Sequence, residues 1–217
     1  MTNIVVINGS PKAKDSTSAM FIDQLQALIT TPMTTYQARK LIRKKDVLQR
    51  LSEILQTDVL LFVSPIYVDA LPAPLVKLLT LFEQVKAQST APPARVYVLF
   101  NCGFLEPRNT ELALNIMQNF CIRAGLVWGY GVGLGSGGFI LTQRDHMAKG
   151  IAFKVYAAVC ALANSIQSGD VGKPNAFATI KMPRFIYNIG GNIGWRKLAK
   201  ENGISKKMMY ARPHQAP

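Results

Sequence analysis

The residues best suited to chemistry lie near the start of the chain, in Asn8-Gly9-Ser10-Pro11-Lys12-Ala13-Lys14-Asp15-Ser16-Thr17-Ser18. Four hydroxyls, two lysines and a glycine follow the apolar run Ile4-Val5-Val6-Ile7 and precede Phe21, Leu25, Leu28 and Ile29 at helical spacing. An unalternating apolar run suits a strand covered on both faces, and the later spacing predicts a helix capped by Ser16 or Asp15. A strand, a small-residue loop and a helix N-terminus gather backbone N–H groups at one spot, where the helix dipole favours an anion. Ser10, Ser16, Thr17 and Ser18 add hydroxyl donors there, so a phosphate monoester fits. An ordinary capped βα turn accounts for the same residues. A Walker loop is excluded because Gly-x4-Gly-Lys-Ser/Thr is missing, and the three-glycine dinucleotide fingerprint is excluded because Gly9 stands alone.

The other reactive side chains point to little. Cys102, Cys121 and Cys160 are scattered, with no C-x-x-C pair, as in a reducing compartment. His146 and His214 are isolated, which argues against a metal cluster or a Ser-His-Asp triad. No metal is expected.

The elements that must position the loop alternate along the chain. Strands are predicted at 4–7, 58–64, 95–101 and 126–132, with a weaker one at 34–38. Helices are predicted from 17, over 46–56 (Val47, Leu48, Leu51, Ile54 and Leu55 inward), 72–85, 109–124 and 144–167. Strand and helix in turn make an α/β protein with a doubly wound parallel sheet, helices on both faces, and ligands beyond the carboxyl ends of the strands. The loops after residues 7, 64, 101 and 132 therefore matter most. Residues 1–168 form the predicted domain, and 169–217 a basic C-terminal extension packed on it.

Composition sets further bounds. The 217 residues are 49% hydrophobic, with a net charge of +13, which excludes general disorder and favours anionic partners. No signal peptide is evident, and glycines or Lys154 interrupt the apolar stretches before they reach the length of a membrane span. A cytoplasmic location follows as an expectation.

The loop after the central strand, Ser64-Pro65-Ile66-Tyr67-Val68-Asp69-Ala70-Leu71-Pro72-Ala73-Pro74-Leu75-Val76-Lys77, makes the reading specific. Pro-Ile-Tyr, a later Pro and Leu-x-Lys opening a helix resemble the flavin loop of the flavodoxin-like NAD(P)H-dependent FMN reductases and quinone reductases. Gly-Ser-Pro-Lys…Ser-Thr-Ser resembles the FMN phosphate loop of that family, and the likeness spans residues 1 to about 168. It implies a flavodoxin-like fold, bound FMN, NAD(P)H as donor, and a quinone, azo, nitro or flavin acceptor. Ser10, Lys12, Ser16, Thr17 and Ser18 would then hold the phosphate. Pro65, Ile66, Tyr67 and Val68 would wall the ring, with Asn101, Cys102 and Gly103 closing its far side. Tyr67 and Asn101 are nominated as ring-edge contacts, Cys102 as a small loop residue rather than a redox thiol, and no side chain as acid or base.

Iron–sulfur relatives carry cysteines near residues 36–40, where this chain has none, so no cluster is expected. A flavodoxin-like electron carrier and a flavin-free basic interaction protein are the alternatives. The apolar segment 144–167, with Ala148, Ala152, Ala157, Ala158 and Ala161, predicts a homodimer, as the resemblance also does. No nucleic acid is expected. For the tail, Phe185, Ile186, Ile189 and Ile193 lie at helical spacing beside Trp195 and a basic cluster, so plain packing on the domain competes with weak contact to an anionic membrane face.

Overall fold

The computed structural model describes residues 2–12 and 15–211. Ala13 and Lys14 of the serine loop, and His214, lie outside the described residues.

In chain order the elements are β1 (Ile4–Asn8), α1 (Thr17–Leu28), β2 (Met33–Gln37), α2 (Ala38–Leu41), α3 (Val47–Ile54), β3 (Val59–Pro65), α4 (Ala73–Lys86), β4 (Arg95–Asn101), α5 (Glu111–Arg123), β5 (Val127–Leu134), α6 (Gly137–Ile140), α7 (Phe153–Ser168), β6 (Ala176–Ala178), α8 (Arg184–Glu201) and α9 (Lys206–Met209). The six strands form one parallel sheet in the order β2-β1-β3-β4-β5-β6. Its first five strands have the flavodoxin-like order, so the fold is a flavodoxin-like doubly wound α/β sheet with one added edge strand. β1, β3 and β4 are almost continuously apolar and buried, as strands covered on both faces must be.

Helices α1 and α7 cover one face, and α3, α4 and α5 the other. The main core lies under the second group, around Phe62, Phe82, Phe100, Leu75, Leu114 and Met117. Phe62 meets Phe82 and Phe120 edge to face, with ring centroids 6.3 and 6.4 Å apart, the arrangement that aromatic quadrupoles favour.

Four sequence expectations need correction. Leu48 does not face inward, because α3 buries Leu51 and Ile54 while Leu48 is exposed. β5 is not the last strand. Residues 132–134 pair with 176–178, so the sheet-forming unit runs to Ile180 and the second unit begins at Lys181. The division at 168 comes too early because three residues, Ala176–Ala178, carry no periodicity that a window could detect.

The helix expected over 144–167 is also shorter. Two 3-10 turns, Leu141–His146 and Gly150–Ala152, precede α7, and Gly150 adopts a left-handed conformation with φ +72° that ends any continuous helix there. Lastly, Gly150–Ser168 is long and apolar enough to cross a membrane by length and composition, with mean hydropathy 1.2. Its apolar surplus has another use. Val155, Val159, Leu162, Ala163 and Ile166 are buried in a helix that packs on β5 and α1. The segment's apolarity therefore does not itself require a two-fold partner.

The second unit, residues 181–217, contains α8 and α9.

Candidate functional site

The loops after β1, β3, β4 and β5 emerge at the carboxyl edge of the sheet. Gly9 makes the first one possible. Its N–H donates to Val63 O at 2.9 Å, and a Cβ built on it would stand 2.4 Å from Ser64 Oγ. Only glycine lets β1 leave the sheet this close to β3.

Two local turns then shape the loop. The Ser10 N–H donates to Asn8 Oδ1 at 2.9 Å, and the Lys12 N–H to Ser10 Oγ at 3.3 Å. Ser16 caps α1, its Oγ accepting from the Ala19 N–H at 3.1 Å. Ser10 and Ser16 thus each accept a backbone proton and keep their own hydroxyl proton to donate. Ser18, in the first turn of α1, is buried with a hydroxyl that has no hydrogen-bond partner. An unsatisfied buried hydroxyl costs about 1–3 kcal/mol, and a ligand oxygen at this helix end would recover it. Thr17 is different, because its hydroxyl donates to Gly137 O at 3.1 Å and clasps the loop after β5. Lys12 is exposed beside these groups.

The second loop carries backbone strain. Tyr67 and Ala70 exchange two hydrogen bonds, at 2.9 and 3.1 Å, around Val68 (φ +49°) and Asp69 (φ +58°). Two central residues at positive φ define a type I′ turn, which prefers Asn-Gly. A β-branched residue there is an outlier. Val68 is 93% exposed, so no side-chain packing offsets the strain, and such strain concentrates at ligand-binding sites. Tyr67 stands half exposed at 47%, available to a flat ligand, and partial burial raises its phenol above the usual range. Pro65 ends β3 and Ile66 is buried beneath the turn. Replacing Val68-Asp69 by Asn-Gly should raise stability by about 1 kcal/mol. Urea unfolding with an unchanged m-value checks this, and a loss of stability would show that the present residues serve the fold.

The third loop differs from expectation. Asn101 is buried, and its Nδ2 donates to Ser64 O at 3.3 Å, tying β4 to β3. Its side chain is therefore a brace between strand ends and not a ring-edge contact. Cys102 is buried too, with Sγ 3.6 Å from Phe104 O and 3.5 Å from Glu106 O. Burial pushes its thiol up, away from the reactive thiolate. Among the described residues other than its chain neighbours, a Cβ on Gly103 would meet no atom within 4 Å.

Residues after β5 complete the site, in the loop after residue 132 that the alternation of strand and helix pointed to without naming its residues. Gly137 N–H donates to Cys102 O at 2.7 Å, and a Cβ on Gly137 would come within 2.6 Å of Asn101 Oδ1. The close approach requires glycine. Ser136, buried at φ +61°, shares a 3.1 Å hydrogen bond with Thr179 Oγ1. The loops after β1, β4 and β5 are thus joined through Thr17, Gly137 and Cys102. Clefts of about 410 Å³ (lined by Tyr36, Lys40, Lys44 and Arg50) and about 430 Å³ (lined by Leu48, Ser52 and Gln84) lie outside these loops. Among the described residues no group of three or more His, Cys, Asp or Glu could hold a metal ion.

No protein-family model matches the chain, and no curated protein sequence is significantly similar to it. Solved structures share its fold. The apo form of an NADH:FMN oxidoreductase superposes with a TM-score of 0.56 at 15% identity, covering 80% of this chain and 92% of its own. An azoreductase from Bacillus anthracis gives 0.51 at 10% identity, covering 77% and 100%. The Trp repressor binding protein from Bacillus subtilis gives 0.50 at 16% identity, covering 68% and 98%. At these identities the likeness establishes the flavodoxin-like fold.

Proposed function

We infer that this chain is an FMN-dependent oxidoreductase, with NAD(P)H as electron donor and a quinone, azo, nitro or flavin compound as acceptor. The observation that carries this reading is the donor set at the end of β1. Ser10 and Ser16 retain free hydroxyl protons, and the buried Ser18 hydroxyl lacks a partner, all around the N-terminus of a twelve-residue helix. That set fits a terminal phosphate. The strained turn at Val68-Asp69 and the half-exposed Tyr67 supply the backbone edge and the apolar face that an isoalloxazine ring needs. Two proteins of the same fold being an NADH:FMN oxidoreductase and an azoreductase supports the reading.

When bound, FMN supplies the two-electron chemistry between donor and acceptor. The chain's residues bind and orient. Ser10, Ser16 and Ser18 would hold the phosphate, with Lys12 adding positive charge. Tyr67 to Ala70 would hold the ring, and the Gly103 backbone would close against it. Asn101 keeps the ends of β3 and β4 in register beneath. No side chain moves a proton in this reading, so selectivity between acceptors rests with the open loops.

An anaerobic titration tests it. The protein mixed with FMN should quench flavin fluorescence, and NADPH or NADH should bleach the bound flavin's visible absorption. Binding without bleaching would assign the fold to electron carriage instead. Absence of FMN binding would overturn the reading.

A further inference from the structure

We propose that α8 and the segment after it form a docking surface for an anionic lipid bilayer. On its own the second unit buries no residue of α8 or α9. Phe185, Ile189, Ile193, Trp195, Met208 and Tyr210 are each more than half exposed. An eighteen-residue helix that contains three glycines and buries nothing is marginal in water. It needs a surface to lie on.

The sequence of the helix says which surface. Residues 185–195 carry no charge over eleven positions. Within them Phe185, Ile189 and Ile193 recur every four residues and Ile186 flanks the same side, while Asn188, Asn192 and three glycines, with Tyr187 and Trp195, occupy the rest. At about 1.5 Å per residue this segment is about 16 Å long, too short to span a bilayer and suited to lying in its interface. Arg196, Lys197 and Lys200 then follow, and Lys206 and Lys207 stand on α9. Glu201 is the single acid among seven bases in residues 181–211, and it lies 3.9 Å from Lys197.

Apolar residues next to a cluster of cations match an anionic headgroup layer, where long basic side chains reach phosphates while isoleucines enter the acyl boundary. The same charge opposes a second copy of this chain, because each would bring an equal positive field. Trp195 lies on the opposite side of the helix from the isoleucines, where the uncharged segment meets the cations.

Vesicle sedimentation of the full chain is the test. Vesicles of phosphatidylcholine with 30% phosphatidylserine should retain the protein at low salt, and release it as salt rises. Pure phosphatidylcholine should retain far less. Each basic residue near such a surface is worth about fivefold in partitioning, so Arg196→Glu/Lys197→Glu/Lys200→Glu should lower retention at least about a hundredfold. Ile189→Asp should also release it. Equal retention by neutral vesicles, no retention at low salt, or retention unaffected by the triple reversal would overturn the proposal. So would capture by homopolymeric RNA in place of vesicles, or a micromolar dimer that Ile189→Asp breaks. None of these readouts needs FMN or turnover, so this inference and the flavin reading fail separately.

Discussion

Ser16→Asp should lower FMN affinity about a thousandfold while leaving the apoprotein at least as stable as before. Ser16 accepts the Ala19 N–H as the N-cap of α1, and Asp caps as well as Ser. A carboxylate at a helix N-terminus also interacts favourably with the dipole, by about 0.3–1 kcal/mol. The fold therefore loses nothing. A phosphate at the same helix end would lose a hydroxyl donor, worth about 1.5–3 kcal/mol for a charged acceptor. It would also meet a like charge, which at about 5 Å and an effective dielectric of 20 costs about 3 kcal/mol. The sum is about three decades or more. Ser16→Ala gives the contrasting pattern: it removes the cap and the donor together, so both stability and affinity should fall. Flavin-fluorescence titration and thermal unfolding of the apoprotein separate the two. Unchanged affinity in Ser16→Asp would remove the phosphate from this loop.

Gly9→Ala should destabilise the fold by about 3 kcal/mol. The new Cβ would lie 2.4 Å from Ser64 Oγ, 2.7 Å from Ser64 Cβ and 3.0 Å from Leu75 Cδ2. Ser64 and Leu75 are fully buried, and the Gly9 N–H bond to Val63 O holds β1 against β3. Relief by simple separation is therefore blocked. For a chain of this size the melting temperature should fall by roughly 6–12 °C. Ser64→Gly deletes the two nearest atoms, so the double variant should recover at least about 1 kcal/mol of the loss beyond additivity. A double-mutant cycle by urea unfolding measures that coupling. Strict additivity would show that the clash is not what makes Gly9 necessary.

Much of the frame was legible in the sequence, because burial on both faces writes itself as unbroken apolar runs. Ile4–Ile7, 58–64 and 95–101 announced β1, β3 and β4 within a residue or two. Ser16 announced the cap of α1 by its chemistry alone. The loops at the carboxyl ends followed from alternation of strand and helix, and the serine-rich donors and the Pro-Ile-Tyr turn were found there.

Tertiary structure decided the division of labour within that site. Thr17 and Ser18 are adjacent hydroxyls with the same propensity, yet one is tied to Gly137 O and the other is buried without a partner. That outcome depends on where the loop after β5, 120 residues away, comes to rest. Asn101 looks in sequence like a polar group offered to a ligand. The register of β3 against β4 instead sets it against Ser64 O and buries it. Likewise β6 exists only because β5 offers an edge, since three residues have no period of their own and take their conformation from the strand they meet. Local chemistry and burial period are properties of the chain taken a few residues at a time, so the sequence by itself determined the strands, the cap and the donor-rich loop. Which donors are consumed by the fold and which are left for a ligand depends on contacts between distant segments, and only the tertiary structure decided it.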